Sequence, residues 1–345
     1  VKIPSYAVQA VAVAPLGLHP FSFANPGIAG IEPYEKDVDF LDVLYTASAN
    51  EHALDQWVRE WILDCGDHEE YLARLGGERI ADLKEKAVAE RGASAPPALP
   101  EEEEPEFEPR EMMLVALARE ILDSVEKKGH KLVLAGAGVA ATAAFLAYYL
   151  RQPAGFTLGT GNGQVGYTPV PGEPILASEA GVRRSSLLTD TVTMQGVFVG
   201  GENNRCLSIL GAGQMDRYGN INSTKTSKGK FLVGSGGAND ALNAREAILC
   251  LDQSKDRFVD KLAYVTGRGD AVGTVVSTMG IFRKETPEGE LRLVACLPDP
   301  AGRGLEERIA EIRRNCGWEL KTAPVVEDVR KPGAEELRLL RWVRV

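Results

Sequence analysis

Cysteine and histidine are scarce, at five and four residues among 345. Cys65, Cys206, Cys250, Cys296 and Cys316 are odd in number and far apart, with no CxxC pair. They therefore build neither a disulfide framework nor a zinc site. No metal is expected, and a reducing cytoplasm is the expected location. Long hydrophobic runs are also missing. Leu132–Ala135 and Val139–Leu150 are interrupted by glycine and fall short of a membrane span. No signal peptide or anchor is visible. Basic residues are outnumbered by acidic ones, 39 to 49, for a net charge of −10. That balance repels nucleic acid and anionic membrane, so neither is an expected partner. An initiator methionine is absent too: the chain opens on Val1 and a strand-like run, Lys2 to Val13, that reads as the middle of a domain.

What remains is an ordinary globular composition, 44% hydrophobic and 26% charged, long enough for one large core or two smaller ones. Between about Arg91 and Pro109 it gives way to Ala-Ser-Ala-Pro-Pro-Ala-Leu-Pro, four consecutive glutamates and further prolines. Proline removes backbone donors and Glu101–Glu104 repel one another, so this stretch reads as a linker. It separates residues 1–92 from 111–345, with the linker at 93–110. In the first segment, Leu54, Trp57, Val58, Trp61 and Ile62 mark one face of a helix over 51–64, and a second short helix is expected from Asp67 to Leu75. One plausible strand and little core make this segment an appendage to something larger.

After the linker, apolar spacing predicts a helix over 111–127, a buried strand over 131–135, a turn at Gly136-Ala137-Gly138 and a helix over 140–150. Short apolar runs at 208–210, 247–251 and 261–265 continue the alternation. This is the α/β pattern of an open, largely parallel sheet.

Three segments are rich in glycine. Gly136-Ala137-Gly138-Val139-Ala140-Ala141 lies at a strand-to-helix turn, where a phosphate could approach, but the acidic residue a nicotinamide site needs about 20 residues on is missing. No nicotinamide is expected. Gly159-Thr160-Gly161-Asn162-Gly163-Gln164-Val165-Gly166 holds four glycines, more than a turn requires; it reads either as close approach to a ligand or as a mobile loop. Gly234-Ser235-Gly236-Gly237-Ala238-Asn239 precedes a helix and can turn several backbone N–H groups toward an anion.

The last of these, with Leu207-Ser208-Ile209-Leu210-Gly211-Ala212-Gly213-Gln214-Met215-Asp216-Arg217-Tyr218-Gly219-Asn220-Ile221-Asn222-Ser223-Thr224 upstream, resembles the β subunit of family I CoA-transferases, glutaconate type. The resemblance runs from about Glu111 to the C-terminus and takes in Arg257–Thr266, Gly280-Ile281-Phe282 and a helical region over 324–342. Separately, Ala7–Val11, Ala14–Pro20 and the stretches Trp61–Asp64 and Asp67–Leu72 resemble the C-terminal part of the α subunit. The resemblance implies a three-layer α/β/α fold, with an α tail tethered to a whole β subunit. It further implies coenzyme A, as acyl-CoA substrate, held at Gly136, Gly138, Gly161, Asn162, Gln214 and Gly234 to Asn239. The missing N-terminal part of the α-like subunit, as a separate chain or an upstream segment, is an implied partner, in a higher α/β oligomer.

In that family a β-subunit glutamate attacks the thioester and becomes glutamyl-CoA. Its position falls at Gly159 and Thr160, where no carboxylate stands. Glu179, in Ser178-Glu179-Ala180-Gly181, is a tempting substitute, but it lies 35 residues before Gln214, which is too close. It reads more simply as solvated or paired with the adjacent Arg183 and Arg184, and Glu202, in Gly200-Gly201-Glu202-Asn203-Asn204, is no better a candidate. Relatives lacking the glutamate resemble non-covalent CoA-ester hydrolases that cleave C–C bonds, or decarboxylases, and an inactive acyl-CoA-binding or scaffolding subunit is the remaining alternative. His19, between glycine and proline turns, is a possible acid or base, or else a loop-fixing residue. His52, His68 and His130 read as surface helix or turn residues.

Overall fold

A computed structural model describes residues 67–78, 81, 106–169, 171 and 184–344. The expected helix at 51–64, His19, His52, Glu179 and most of the linker lie outside the described residues. Those described fall into two compact units: 67–81 and 158–194 contribute to the smaller, 106–157 and 195–344 to the larger.

The smaller unit begins with α1 (His68–Leu75), whose first turn is capped by Asp67 accepting from the Glu70 N–H at 2.9 Å. Gly76 ends it at φ +78°, a left-handed value that glycine adopts without a side-chain clash. The larger unit opens with α2 (Pro109–Lys128), beginning inside the stretch read as linker because proline suits the first helical position. Then come β1 (Leu132–Ala135) and α3 (Val139–Leu150), close to the expected elements. Back in the smaller unit, β2 (Thr157–Gly159), β3 (Gln164–Val165) and β4 (Leu187–Leu188) follow one another in antiparallel order.

The larger unit resumes with β5 (Cys206–Gly211), the two-residue strands β6 (Gln214–Met215) and β7 (Ile221–Asn222), the short α4 (Ala238–Ala241), and β8 (Glu246–Leu251). It ends with β9 (Val272–Ser277), β10 (Gly280–Arg283), β11 (Arg292–Cys296), α5 (Leu305–Arg314), β12 (Thr322–Asp328) and α6 (Ala334–Arg344). Within this unit the sheet runs β12-β11-β10-β9-β8-β5-β1. The pairs β1–β5, β5–β8, β8–β9 and β11–β12 are parallel, and β10 runs antiparallel to both neighbours. The result is the expected open, largely parallel α/β sheet with flanking helices.

α2, α3 and α6 pack on one another, and α2 and α3 also meet strands of the sheet. α3 is apolar nearly all round, as a helix buried between neighbours must be. Among the described residues three ion pairs fasten the first helix of this unit to the last, the longest of them Arg344 to Glu111 at 3.9 Å. The Arg119 guanidinium donates to both Glu336 carboxylate oxygens, Nε at 2.7 Å, and Arg341 Nε donates to Glu111 at 3.0 Å. Burial pushes the Glu336 carboxyl up, but Arg119, the Gly333 N–H and Arg330 together hold it below the usual range.

Two expectations need correction. Residues 261–265 form no strand: Tyr264 and Val265 are exposed, and only Leu262 is buried. The segment lies beside the β6–β7 hairpin through isolated bridges at Phe258 and Gly267, with no strand to continue its ladder. The C-terminal region read as helical over 324–342 begins as strand β12, and only its second half is helix. β12 is an edge strand, where Pro324 removes no ladder bond from an interior neighbour.

Candidate active site

β5 delivers the chain into the β6–β7 hairpin, and the polar residues of the Gly-Gln-Asp-Asn motif are spent on shaping it. The Asp216 carboxylate accepts from the Tyr218 and Asn220 N–H groups at 2.9 and 3.1 Å and from Asn220 Nδ2 at 2.9 Å. Lys284 Nζ donates to the carbonyls of Tyr218, Gly269 and Pro287, and burial lowers its pKa. Gly269 presses on this turn so closely that a Cβ there would stand 2.3 Å from the Gly219 carbonyl carbon. Gln214, expected to touch the thioester, has both ends of its amide engaged: Nε2 donates to the Asp256 carbonyl at 2.9 Å and Oε1 accepts from Asn222 at 3.0 Å. Asn222 in turn accepts from the Thr224 and Lys225 N–H groups. Gln214 thus fixes the hairpin that leads to the next loop.

That loop is Gly234-Ser235-Gly236-Gly237, with φ of +94°, +56° and +85° at its three glycines. Left-handed values of this kind cost a side-chain-bearing residue roughly 1–2 kcal/mol each, which is why glycine recurs here. The Gly234 N–H donates to the Ser223 carbonyl and the Ala238 N–H to the Ser235 carbonyl. No acceptor among the described residues takes the N–H of Ser235, Gly236 or Gly237. Around Gly236 nothing lies within 4 Å of where a Cβ would stand, and beside Gly237 only Gln195 Nε2 does, at 3.5 Å. Ser235 Oγ donates to Asn239 Oδ1, which ties the loop to the first turn of α4. Three consecutive N–H groups without an acceptor among the described residues can hold an oxyanion or a phosphate oxygen.

In the smaller unit, the turn after β2 has a different construction. Thr160 is buried, donates its hydroxyl to Asn162 Oδ1 and accepts from the Gln164 N–H at 3.2 Å. Gly163, at φ +102°, passes so close to Thr189 that a Cβ would sit 2.0 Å from its carbonyl oxygen, and one on Gly166 would meet Ser186 at 2.9 Å. These two glycines make room for the protein's own chain. Gly159 and Thr160, at the end of β2, bring no carboxylate to the turn.

Of the remaining expected residues, Gly136 donates its N–H to the Ile209 carbonyl and faces β5, while Gly138, at φ +74°, precedes α3 with open space about it. Glu202 is exposed in the turn before β5. His68 is the first residue of α1. His130, read as a surface residue, is buried at 1% exposure, with Nε2 3.0 Å from Glu246. Ser124 and Lys128 donate to the same carboxylate at 2.8 and 2.7 Å. Burial pushes the Glu246 carboxyl up, but these three hydrogen bonds outweigh it and bring the pKa down to about 2. Sequence periodicity did not single out Glu246, because an acid at the start of a buried strand gives no pattern without its partners. The four described cysteines are buried; Cys206 and Cys250 are pushed up to about 12, so they are poor nucleophiles. Among the described residues no cluster could hold a metal ion and no helix is long and apolar enough to cross a membrane.

No family model matches the chain. It is 30% identical over 260 residues to the β subunit of 3-oxoadipate CoA-transferase from Pseudomonas knackmussii, covering 68% of this chain and 92% of that protein. The α subunit of glutaconate CoA-transferase from Acidaminococcus fermentans is 38% identical over 82 residues, which span 24% of this chain and 23% of that protein. The β subunit of the same enzyme is 28% identical over 159 residues, 40% of this chain and 56% of that protein. Among solved structures, glutaconate CoA-transferase from Acidaminococcus fermentans superposes with a TM-score of 0.59 at 22% identity, covering 70% of this chain and 98% of that one. The decarboxylase AibA/AibB superposes at 0.56 and 21%, covering 69% and 95%. Sheet, hairpin motif and sequence identity over nearly a whole relative agree: the chain belongs to the CoA-transferase family of enzymes, joining an α-like stretch to a β-like one.

Proposed function

We propose that this protein acts on an acyl-CoA thioester held at its glycine-rich loops, without forming a glutamyl-CoA intermediate. The observation that carries the reading is the turn after β2, which is closed by Thr160 and Asn162 where the family resemblance calls for a glutamate. A carboxylate attacks the thioester carbonyl to give a mixed anhydride and free thiolate, which returns to give the protein-bound thioester. Glycine has no side chain to do this, and the Thr160 hydroxyl is held within its own turn.

The open N–H groups of Ser235, Gly236 and Gly237 support the complementary half of the reading. Donors aimed at a thioester oxygen stabilise the enolate left by loss of CO2 or by C–C cleavage, with no covalent bond to the protein. That a protein of this fold is a decarboxylase fits the reading. The partner proposed is the remainder of an α-like subunit, on a separate chain or as an upstream segment, in an α/β oligomer; the 82-residue match to an α subunit supports this reading.

The test incubates the assembled protein with glutaconyl-CoA and related esters, with and without acetate, and follows products and protein by mass. Free acid, CO2 or a cleaved ester with unmodified protein is expected. Acetyl-CoA together with a CoA adduct on the protein overturns the non-covalent route, and absence of any turnover leaves a binding role.

A further inference from the structure

β10 returns between β9 and β11, so those two strands deliver their C-terminal ends to one edge of the sheet, the edge at which β5 enters the β6–β7 hairpin. In open α/β sheets, ligands lie outside the carboxyl ends of strands. Just past these two ends, at Thr278 and Leu297, the larger unit keeps a crevice of about 470 Å³. One face of α5 lines it with Arg308 and Ile312, four residues apart, and Pro109 at the start of α2 and Met279 add to its apolar wall. From β5 to β11 is four strand spacings, or roughly 19 Å, so this crevice is separate from the glycine loop.

The acids and the bases of the crevice differ in what they have left to offer. Asp299 accepts from the Ala301 N–H at 3.1 Å and from the Arg303 N–H and Nε at 3.3 and 2.5 Å. Glu311 accepts from Arg314 and, at 2.8 Å, from Asn315 Nδ2. Both carboxylates are thus engaged by the chain itself. The donors are only partly engaged. Arg308 is 8% exposed; its Nη1 donates to the Leu297 carbonyl and to Asp328, both at 2.9 Å, and its Nη2 to Asp328 at 2.8 Å, yet its Nε meets no acceptor among the described residues. Arg303 spends Nε on Asp299, while its Nη1 stays 3.8 Å from Glu311 and neither Nη atom donates a hydrogen bond to a described residue. Thr278 Oγ1 accepts from the Gln253 N–H at 3.0 Å, and its own proton has no acceptor among the described residues. A buried guanidinium donor without an acceptor is rare in a folded protein and calls for a physical explanation.

We propose that this crevice is a second ligand site and that it takes a short-chain carboxylic acid in its ionised form. The acid's oxygens accept from Arg308 Nε, Arg303 and Thr278, and its alkyl part lies on Met279, Leu297 and Ile312. Guanidinium N–H groups match the two oxygens of a carboxylate. The pairs Arg303–Asp299 and Arg308–Asp328 leave the lining close to neutral, so recognition rests on hydrogen bonds rather than on net charge. An amide of the same shape turns an NH2 group toward donors and loses a bond there. The site goes beyond the acyl-CoA reading, and neither depends on the other.

Calorimetric titration of the assembled protein with isobutyrate, isobutyramide and acetate tests this, with and without saturating CoA. Isobutyrate is expected to bind at one site per chain whether or not CoA is present. Isobutyramide should bind about fivefold more weakly, the scale of one hydrogen bond, and acetate more weakly than isobutyrate because fewer carbons meet the apolar wall. Arg303→Gln, and Arg308→Lys, which keeps a charge beside Asp328 while removing the Nε–H, should each lower isobutyrate affinity by a similar factor, with the melting transition of each variant checked. Parent-level isobutyrate affinity in Arg303→Gln combined with Thr278→Val overturns the assignment. Loss of isobutyrate binding in saturating CoA places the acid at the glycine loop and overturns it too, as does isobutyramide binding as tightly as the acid. A crystal soaked in isobutyrate that shows only water at Arg308 Nε has the same force. Absence of isobutyrate binding removes the second site and leaves the acyl-CoA reading, which turnover tests, in place.

Discussion

The two glycine-rich loops that look alike in sequence, 159–166 and 234–237, are built for opposite reasons. In the first, Gly163 and Gly166 are glycines because another part of the chain occupies the space a side chain would take, at Thr189 and Ser186. In the second, the space about Gly236 is open and the backbone donors are unspent. Glycine content therefore has two causes: in one loop it makes room for the protein's own chain, and in the other it permits left-handed backbone around open space. The distinction lies in what surrounds the missing Cβ.

Substitution can break this comparison. Gly163→Ala should have the largest effect, since left-handed strain and overlap with the Thr189 carbonyl act together. A loss of roughly 4 kcal/mol in urea unfolding is expected, and a loss under 1 kcal/mol would show that the loop relaxes freely. A second test concerns a buried carboxylate that anchors the larger unit. Glu246 has a folded pKa of about 2, below its ordinary 4.5. A depressed carboxylate contributes stability above its unfolded pKa and loses it as pH falls through the folded one. Stability should therefore drop by on the order of 3 kcal/mol between about pH 4.5 and 2, and Glu246→Gln should remove most of this slope in acid titrations followed by circular dichroism.

Gly236→Ala sharpens the comparison from the other side. Only the left-handed conformation opposes it, so the stability cost should be about 1 kcal/mol, whereas CoA affinity should fall further than that strain alone accounts for. Equal stability losses at Gly163 and Gly236 would abolish the contrast. The smallest effect is expected in an exposed turn: Lys228→Gln should change unfolding by less than about 0.5 kcal/mol, because the side chain is exposed and unpaired among the described residues.

Much of the frame could be read from residue order because its causes are local. α2, β1, α3, β5 and β8 follow from apolar runs of the right period, and Asp67 marks the start of α1. Residues 261–265 misled because apolar composition does not guarantee a neighbouring strand, and β12 was hidden by a proline that only an edge position tolerates. At the candidate site, the missing carboxylate at Gly159 and Thr160 was visible in the sequence, as was the glycine loop at 234–237. The engagement of Gln214 with Asp256 and Asn222 was not, nor the burial of His130 on Glu246, because those partners lie 42, 8 and 116 residues away.

The pairing of α2 with α6 bears on how such a polypeptide can be rearranged. Arg341 reaches back to the Glu106 carbonyl at 2.7 Å as well as to Glu111, so the described start and finish of the larger unit lie side by side. A covalent join there would close the unit into a ring, and new ends could be cut at an exposed turn such as Lys228–Gly229. The order in which its pieces are written along the chain is then one of several that the same fold would accept, and the attachment of an α-like stretch ahead of Glu106 uses a doorway the fold already keeps at its surface.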